Sequence, residues 1–148
     1  MSEKFSSRAL SDQFLVKEFS SWLLSFVGES QAALQSVSVA DKSFAVSGYG
    51  VLMELYGLRT RAYILMNDPG AHVVSCLDFS QEEMLSLFDR VSSVVRTTST
   101  LKSASAMVLS VATFTVSLGE GRGKIVSFLF KTLCDEVSGW EASLCDGR

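Results

Sequence analysis

Residues 43–66, SFAVSGYGVLMELYGLRTRAYILM, carry the pattern on which the predicted fold depends. Apolar residues alternate with small or polar residues around Phe44 and Val46, and the alternation returns over residues 51–56 and 62–66. A period of two, rich in β-branched and aromatic residues, predicts β-strands. The gaps at Gly48, Gly50 and Gly57 are short. They predict neighbouring antiparallel strands, because a parallel return needs a crossover of about a dozen residues or more.

The second and third of these predicted strands are apolar on both faces. One face of such a sheet can cover a layer of helices, and the other face has to be covered by something else. We therefore take the uncovered face as the main indication of function.

Length and composition predict one globular domain over residues 10–146, preceded by a flexible, Ser-rich N-terminus at residues 1–9. The chain has 148 residues, 47% of them hydrophobic and 20% charged, with one proline. The net charge is −3 and the 13 Lys and Arg residues are scattered, which disfavours nucleic-acid binding. We expect no signal peptide and no membrane span, and the odd number of cysteines favours reduced thiols in the cytoplasm.

Three amphipathic helices are predicted outside the strand block. The first begins near Ser11 and stops at Gly28, a residue typical of helix ends. The second begins at a capping box, in which Ser80 and Glu83 each bond a free backbone N–H group of the first turn. The third spans residues 124–144. Residues 104–118 predict one or two strands, because their apolar positions change phase, and residues 71–77 predict an edge strand.

The predicted architecture is an α+β fold, a two-layer sandwich of a mainly antiparallel sheet and three helices. Its element order is helix, three strands, helix, one or two strands and a long helix.

The residue types that carry chemistry do not form a recognisable site, so we expect no catalysis, no metal and no cofactor. His72 is the one histidine, and on a straight strand it would lie about 13 Å from Cys76. The loop GEGRGK at residues 119–124 lacks the first glycine and the Ser or Thr of a phosphate-binding loop. The remaining cysteines, Cys134 and Cys145, have no metal-ligand spacing.

The order of predicted elements resembles that of the class I chaperones of type III secretion. The resemblance rests on the SFAVSGYGVLMELYG and AYILMNDPG segments, the capped middle helix and the ending VSGWEASL with Trp140, and it covers residues 10–144. It implies a dimer, a homodimer with a heterodimer as the alternative, that holds an extended N-terminal segment of a secreted effector without chemical turnover. The sheet and the first helix would accept that segment by backbone pairing and apolar pockets.

The resemblance also places two sets of site residues. The effector-binding set comprises Phe14, Leu24, Phe44, Val46, Leu52, Met53, Tyr63 and Leu65. The dimer-interface set comprises Leu85, Val94, Met107, Leu109 and Val111. Two alternatives stay open from the sequence: an adaptor subunit of a permanent complex, and a small-ligand protein with a cavity between the sheet and the C-terminal helix.

Overall fold

The computed structural model describes residues 7–40, 44–97 and 101–147, and the fold over these residues is helical. The elements are α1 (Gln13–Ala40), α2 (Phe44–Asn67), a 3-10 helix (Pro69–His72), α3 (Gln81–Thr97), α4 (Leu101–Val116) and α5 (Gly123–Gly147). No strand is present in these three ranges, and the one β-bridge, between Arg8 and Ser80, is isolated. The predicted α+β sandwich is therefore wrong, and the chain forms a helical bundle.

The stretch predicted to form three strands is the single helix α2. Its buried residues recur at intervals of three and four, which is the helical period and not the period of two. They are Val51, Leu55, Leu58, Ala62 and Leu65. The prediction failed because exposed apolar residues lie between the buried ones. A stretch that is apolar on all sides fits either period, and its length of 24 residues then favours a helix over a strand.

The predicted strands of residues 104–118 and 71–77 are also absent. Residues up to Val116 belong to α4, where Ala104, Met107, Val108 and Val111 are buried at helical spacing. The apolar positions change phase along this stretch because they follow the helical spacing, and the change does not mark a bulge. Thr115 tolerates the helix because its hydroxyl donates to the carbonyl oxygen of Val111 at 2.8 Å. Residues 73–77 are irregular and follow the 3-10 helix.

Helix α4 organises the core, since it contacts each of the other four helices. An aromatic cluster joins α1, α3 and α4: the ring centroid of Phe19 lies 5.2 Å from that of Phe88 and 5.9 Å from that of Phe114. Trp22 stacks on Phe26 at the edge of this cluster. Its Nε1 donates to Asp89 Oδ1 at 3.0 Å, so the half-buried indole keeps a hydrogen-bond partner.

Helix α1 begins as predicted but does not end where predicted. Asp12 is its cap, since Asp12 Oδ1 accepts from the backbone N–H of Leu15 at 3.0 Å. The helix passes through Gly28 and continues to Ala40. The longer helix gains contacts with its neighbours: Leu34 is buried, and Gln31 Oε1 accepts from Arg59 of α2 at 2.8 Å. Tertiary packing of this kind overrides the weak preference of one glycine.

The predictions for the second and third helices are confirmed at α3 and α5. The backbone N–H of Glu83 donates to Ser80 Oγ at 3.0 Å, and the N–H of Ser80 donates to Glu83 Oε1 at 2.8 Å, which is the capping box. The core face of α3 is buried as expected at Met84, Leu87, Phe88, Val91, Val94 and Val95.

The chain before α1 is described from residue 7 onward. Residues 7–10 lie along the start of α3: the N–H of Ala9 donates to the carbonyl of Phe79 at 3.0 Å, and Leu10 N–H donates to Gln81 Oε1 at 2.9 Å. Ala9 and Leu10 are fully buried. A flexible N-terminus is predicted for residues 1–9. Of these, residues 1–6 lie outside the described part of the chain.

Candidate functional site

The outer face of α2 carries large apolar side chains that are exposed. Tyr49, Met53, Tyr56 and Tyr63 lie on this face with 50% to 65% of each side chain exposed. They are separated from the buried face of the same helix by about half a turn. A helix that is apolar on both faces is typical of one covered on both sides. In the described part of the chain only the inner face is covered.

The exposed residues follow the heptad spacing of a coiled-coil seam. The three tyrosines of the whole chain are seven residues apart, at positions 49, 56 and 63. Met53, Thr60 and Asn67 follow each tyrosine by four residues, and all three are exposed. Steps of four and three alternate along the face, which is the spacing of the a and d positions against which a second helix packs. We call these six residues the α2 seam: Tyr49, Met53, Tyr56, Thr60, Tyr63 and Asn67.

The residues on either side of the seam leave it open. On one side lie Gly50, Gly57 and Ile64, all exposed, and an added Cβ at either glycine would meet no atom within 4 Å. On the other side Leu52 is half-buried, and Arg59 is held by its hydrogen bond to Gln31 of α1. No seam residue is charged. The seam is thus an uncharged ridge with a flat, glycine-lined edge.

The residues predicted to bind an effector are divided between the surface and the core. Met53 and Tyr63 lie in the seam and Leu52 lies beside it, whereas Leu65 is fully buried. On α1, Phe14 is 71% exposed and Leu24 is half-buried. Phe44 and Val46 belong to the first turn of α2, and their side chains lie outside the described part of the chain. The structure therefore does not bring the eight residues together on one surface.

The residues predicted to form a dimer contact are mostly interior. Val94, Met107 and Val111 are buried between α3, α4 and their neighbours, and Leu85 is half-buried against the core. Leu109 is the exposed member, with 47% of its side chain accessible. It lies beside Gly50 and Glu54 of α2, where the two helices border a shallow depression. Leu109 can therefore extend the apolar surface next to the seam.

A second concavity, an open groove of about 600 Å³, runs between α3 and α5. Both apolar and charged side chains line it. Phe79 and Phe130 stack in it with their ring centroids 3.8 Å apart, so the two largest apolar side chains cover each other. Arg90 donates to both carboxylate oxygens of Glu141, which ties α3 to α5 at the groove. These contacts hold the two sides of the groove together.

Three titratable groups at the groove have shifted pKa values. The hydrogen bond with Arg90 lowers the pKa of the Glu141 carboxyl, and the same bond raises the pKa of Arg90. Burial raises the pKa of the Cys134 thiol, so it stays protonated at neutral pH. A protonated, half-buried thiol is a poor nucleophile.

His72 and Cys76 are the other residues considered for chemistry. His72 Nδ1 lies 3.1 Å from the carbonyl oxygen of Asp68, and among the described residues no hydrogen bond joins His72 to Cys76. Within the described ranges, no cluster of three His, Cys, Asp or Glu residues is placed to hold a metal ion. No helix in those ranges combines the length and apolar character that crossing a membrane requires.

Comparison with known protein families, with curated proteins and with solved structures finds no match to this chain. The case for function therefore rests on the geometry of the α2 seam.

Sequence reasoning missed four seam residues, Tyr49, Tyr56, Thr60 and Asn67, although a signal for them is present. All the tyrosines of the chain fall seven residues apart inside one segment, and Met53, Thr60 and Asn67 complete the steps of four and three. A test of residues 43–67 against the heptad template would have found the seam. The alternation of apolar and polar neighbours concealed it.

Proposed function

We propose that this chain is a protein-binding module that docks a helix of another polypeptide against the α2 seam. The observation that carries the proposal is the exposure of all six seam residues on a helix whose opposite face is buried. The proposal keeps the expectation of a binding function from the sequence. It gives up the secretion chaperone, because the strand block on which that resemblance rested is helix α2.

The chemical nature of the seam supports a protein partner. Tyrosine and methionine are enriched in the centres of protein interfaces, where charged residues are depleted. Tyrosine combines a large apolar ring with a hydroxyl that bonds across the contact, and it loses little conformational entropy on binding. The seam has three tyrosines, one methionine and no charge.

The spacing of the seam supports a helical partner over an extended one. An extended peptide gains most of its affinity by pairing with the edge of a sheet, and the described ranges contain no sheet. A partner helix instead inserts its side chains between residues spaced at three and four. We expect the binding to involve no chemical turnover, and a cytoplasmic location stays a prediction.

A photo-crosslinking experiment tests the proposal in the native cell. Benzoylphenylalanine at position 56 should capture a polypeptide, and the same group at Lys17, an exposed position on α1, should not. Met53→Glu in the same chain should abolish the capture, because it places a charge in the seam without touching the core. Equal capture from positions 56 and 17, or capture that Met53→Glu leaves unchanged, would contradict the proposal.

A further inference from the structure

We infer that the helix that docks on the α2 seam is α2 of a second copy, packed antiparallel about a two-fold axis near Leu58. This inference rests on the proposed function, since it names the partner of the same seam. Its argument comes from the order in which large and small residues follow one another along the seam.

An antiparallel two-fold axis near Leu58 makes the seam complementary to itself. Residues whose numbers add up to 116 then face each other: Met53 meets the partner's Tyr63, Tyr56 meets the partner's Thr60, and Tyr49 meets the partner's Asn67. Each tyrosine is opposed by a smaller or more flexible side chain, as dense packing requires. Methionine against an aromatic ring is a favourable contact, and the Thr60 hydroxyl and Asn67 amide can bond tyrosine hydroxyls.

A parallel pair would lose this match. Each residue would then face its own copy, so that three layers would pair tyrosine with tyrosine, and the Thr60 and Asn67 layers that alternate with them would be underfilled. The antiparallel pair distributes the same side-chain volume evenly along the contact. The order of residues along α2 therefore favours one orientation of the second copy over the other.

The glycine-lined edge of the seam supports the same register. These residues lie at the side of the contact and not in its facing layers. There, Ile64 lies beside the partner's Gly50 in the antiparallel pair, and the two Gly57 residues pass each other near the axis. An added Cβ at Gly50 or Gly57 meets nothing within 4 Å in the single chain, so the space is available to a second copy. Glycine allows the two backbones to approach closely, as small residues do where helices cross.

Charge and area also fit a second copy. The seam carries no charge, so two identical seams meet without repulsion between like charges, and a charged partner gains nothing there. The exposed parts of its large side chains and of Ile64 give each copy about 500 Å² of accessible surface that a second copy can cover. Two copies then bury about 1,000 Å² in total, which is at the low end for a specific interface. We therefore expect a weak, reversible dimer that dissociates in the micromolar concentration range.

The test is sedimentation equilibrium of the purified chain over a range of about 1–200 μM. The wild type should form dimers, and Met53→Glu or Tyr63→Lys should each weaken the dimer at least about tenfold. The double variant Met53→Glu/Tyr63→Lys should regain most of the affinity, because a glutamate then faces a lysine of the other copy at two symmetric places in the dimer. Positions 53 and 63 are about 15 Å apart along one helix, so the rescue cannot arise within a chain.

A matched double variant provides the control. Met53→Glu/Tyr56→Lys introduces the same two charges, but position 56 faces the partner's Thr60, so the dimer should stay weak. All these positions are exposed, and far-UV circular dichroism should be unchanged in every variant. As a second measurement in a cysteine-free background, Met53→Cys mixed with Tyr63→Cys should form an intermolecular disulfide, and Met53→Cys alone should not.

The outcomes separate the two proposals. Dimers in which both double variants bind equally well or equally poorly would overturn the antiparallel register. A wild-type chain that stays monomeric at every concentration would overturn the second copy as partner. In that case, capture of a different polypeptide from position 56 would leave the proposed function standing, whereas no specific capture would overturn both.

Discussion

Replacing Leu65 and Tyr63 by alanine, one at a time, tests the orientation of α2. Residues two apart share a face of a strand, so a sheet would place both side chains in the same environment. On a helix they point about 160° apart. Leu65 is fully buried and Tyr63 is 50% exposed, as the helix requires.

The two substitutions should have very different costs. Leu65→Ala removes a fully buried side chain and leaves a cavity, which lowers the free energy of unfolding by about 2–5 kcal/mol. Tyr63→Ala removes a side chain on the outer face and should cost no more than about 1 kcal/mol. For a chain of this size each kcal/mol lowers the Tm by about 2–4 °C. Leu65→Ala should therefore lower the Tm by about 4–20 °C, and Tyr63→Ala by less than about 4 °C.

Thermal unfolding followed by far-UV circular dichroism measures both values. The chain should be kept dilute, at about 1 μM or less, because association makes the Tm depend on concentration. Equal losses from the two substitutions, or a larger loss from Tyr63→Ala, would refute the helical register of α2.

Three further predictions concern a glycine inside α1, the cap of α3 and one ion pair. Gly28→Ala should raise the free energy of unfolding by about 0.5–1 kcal/mol, because Gly28 lies inside α1 with no atom within 4 Å of an added Cβ. A urea titration measures this value, and a lower stability of the variant would indicate that a helix ends at Gly28. Ser80→Ala should cost about 1 kcal/mol in the same titration, since it removes the acceptor for the Glu83 N–H, and Ser86→Ala, on the exposed surface of the same helix, serves as the control. Glu141→Gln should reduce stability slightly at neutral pH, by no more than about 1 kcal/mol, because the pair with Arg90 is largely exposed. Since that pair lowers the pKa of the folded carboxyl, the advantage of the wild type should be constant near neutral pH and disappear as the pH falls below about 4; an advantage that persists in acid would contradict this assignment.

The sequence predicts those helices in which polar residues mark one face. In α3 the polar side chains of Asp89, Arg90 and Ser93 lie on the exposed side, away from the apolar stripe, and the capping box marks the start of the helix. Helices α2 and α4 lack that contrast. Met53 is as apolar as Leu55, yet the first is exposed and the second is buried, and only the packing of the other helices distinguishes them. Local alternation therefore predicted strands where the chain forms helices.

The candidate site could be predicted in part from the sequence. Excess apolar surface in residues 43–66 indicates a covered face, and Met53 and Tyr63 belong to it. The assignment of Leu65 to the same face follows from the period of two and places a core residue on the surface. The contribution of Tyr49 and Tyr56 depends on the heptad spacing, which has meaning only once the segment is a helix.

The fluorine NMR spectrum of the chain labelled with 3-fluorotyrosine tests the central claim most directly. The chain has three tyrosines, all of them in the α2 seam, so the label reports on this surface alone. If a second copy covers the seam, the three resonances should shift together on dilution and give one dissociation constant. Three resonances that keep the positions of solvent-exposed tyrosines at every concentration would contradict the claim.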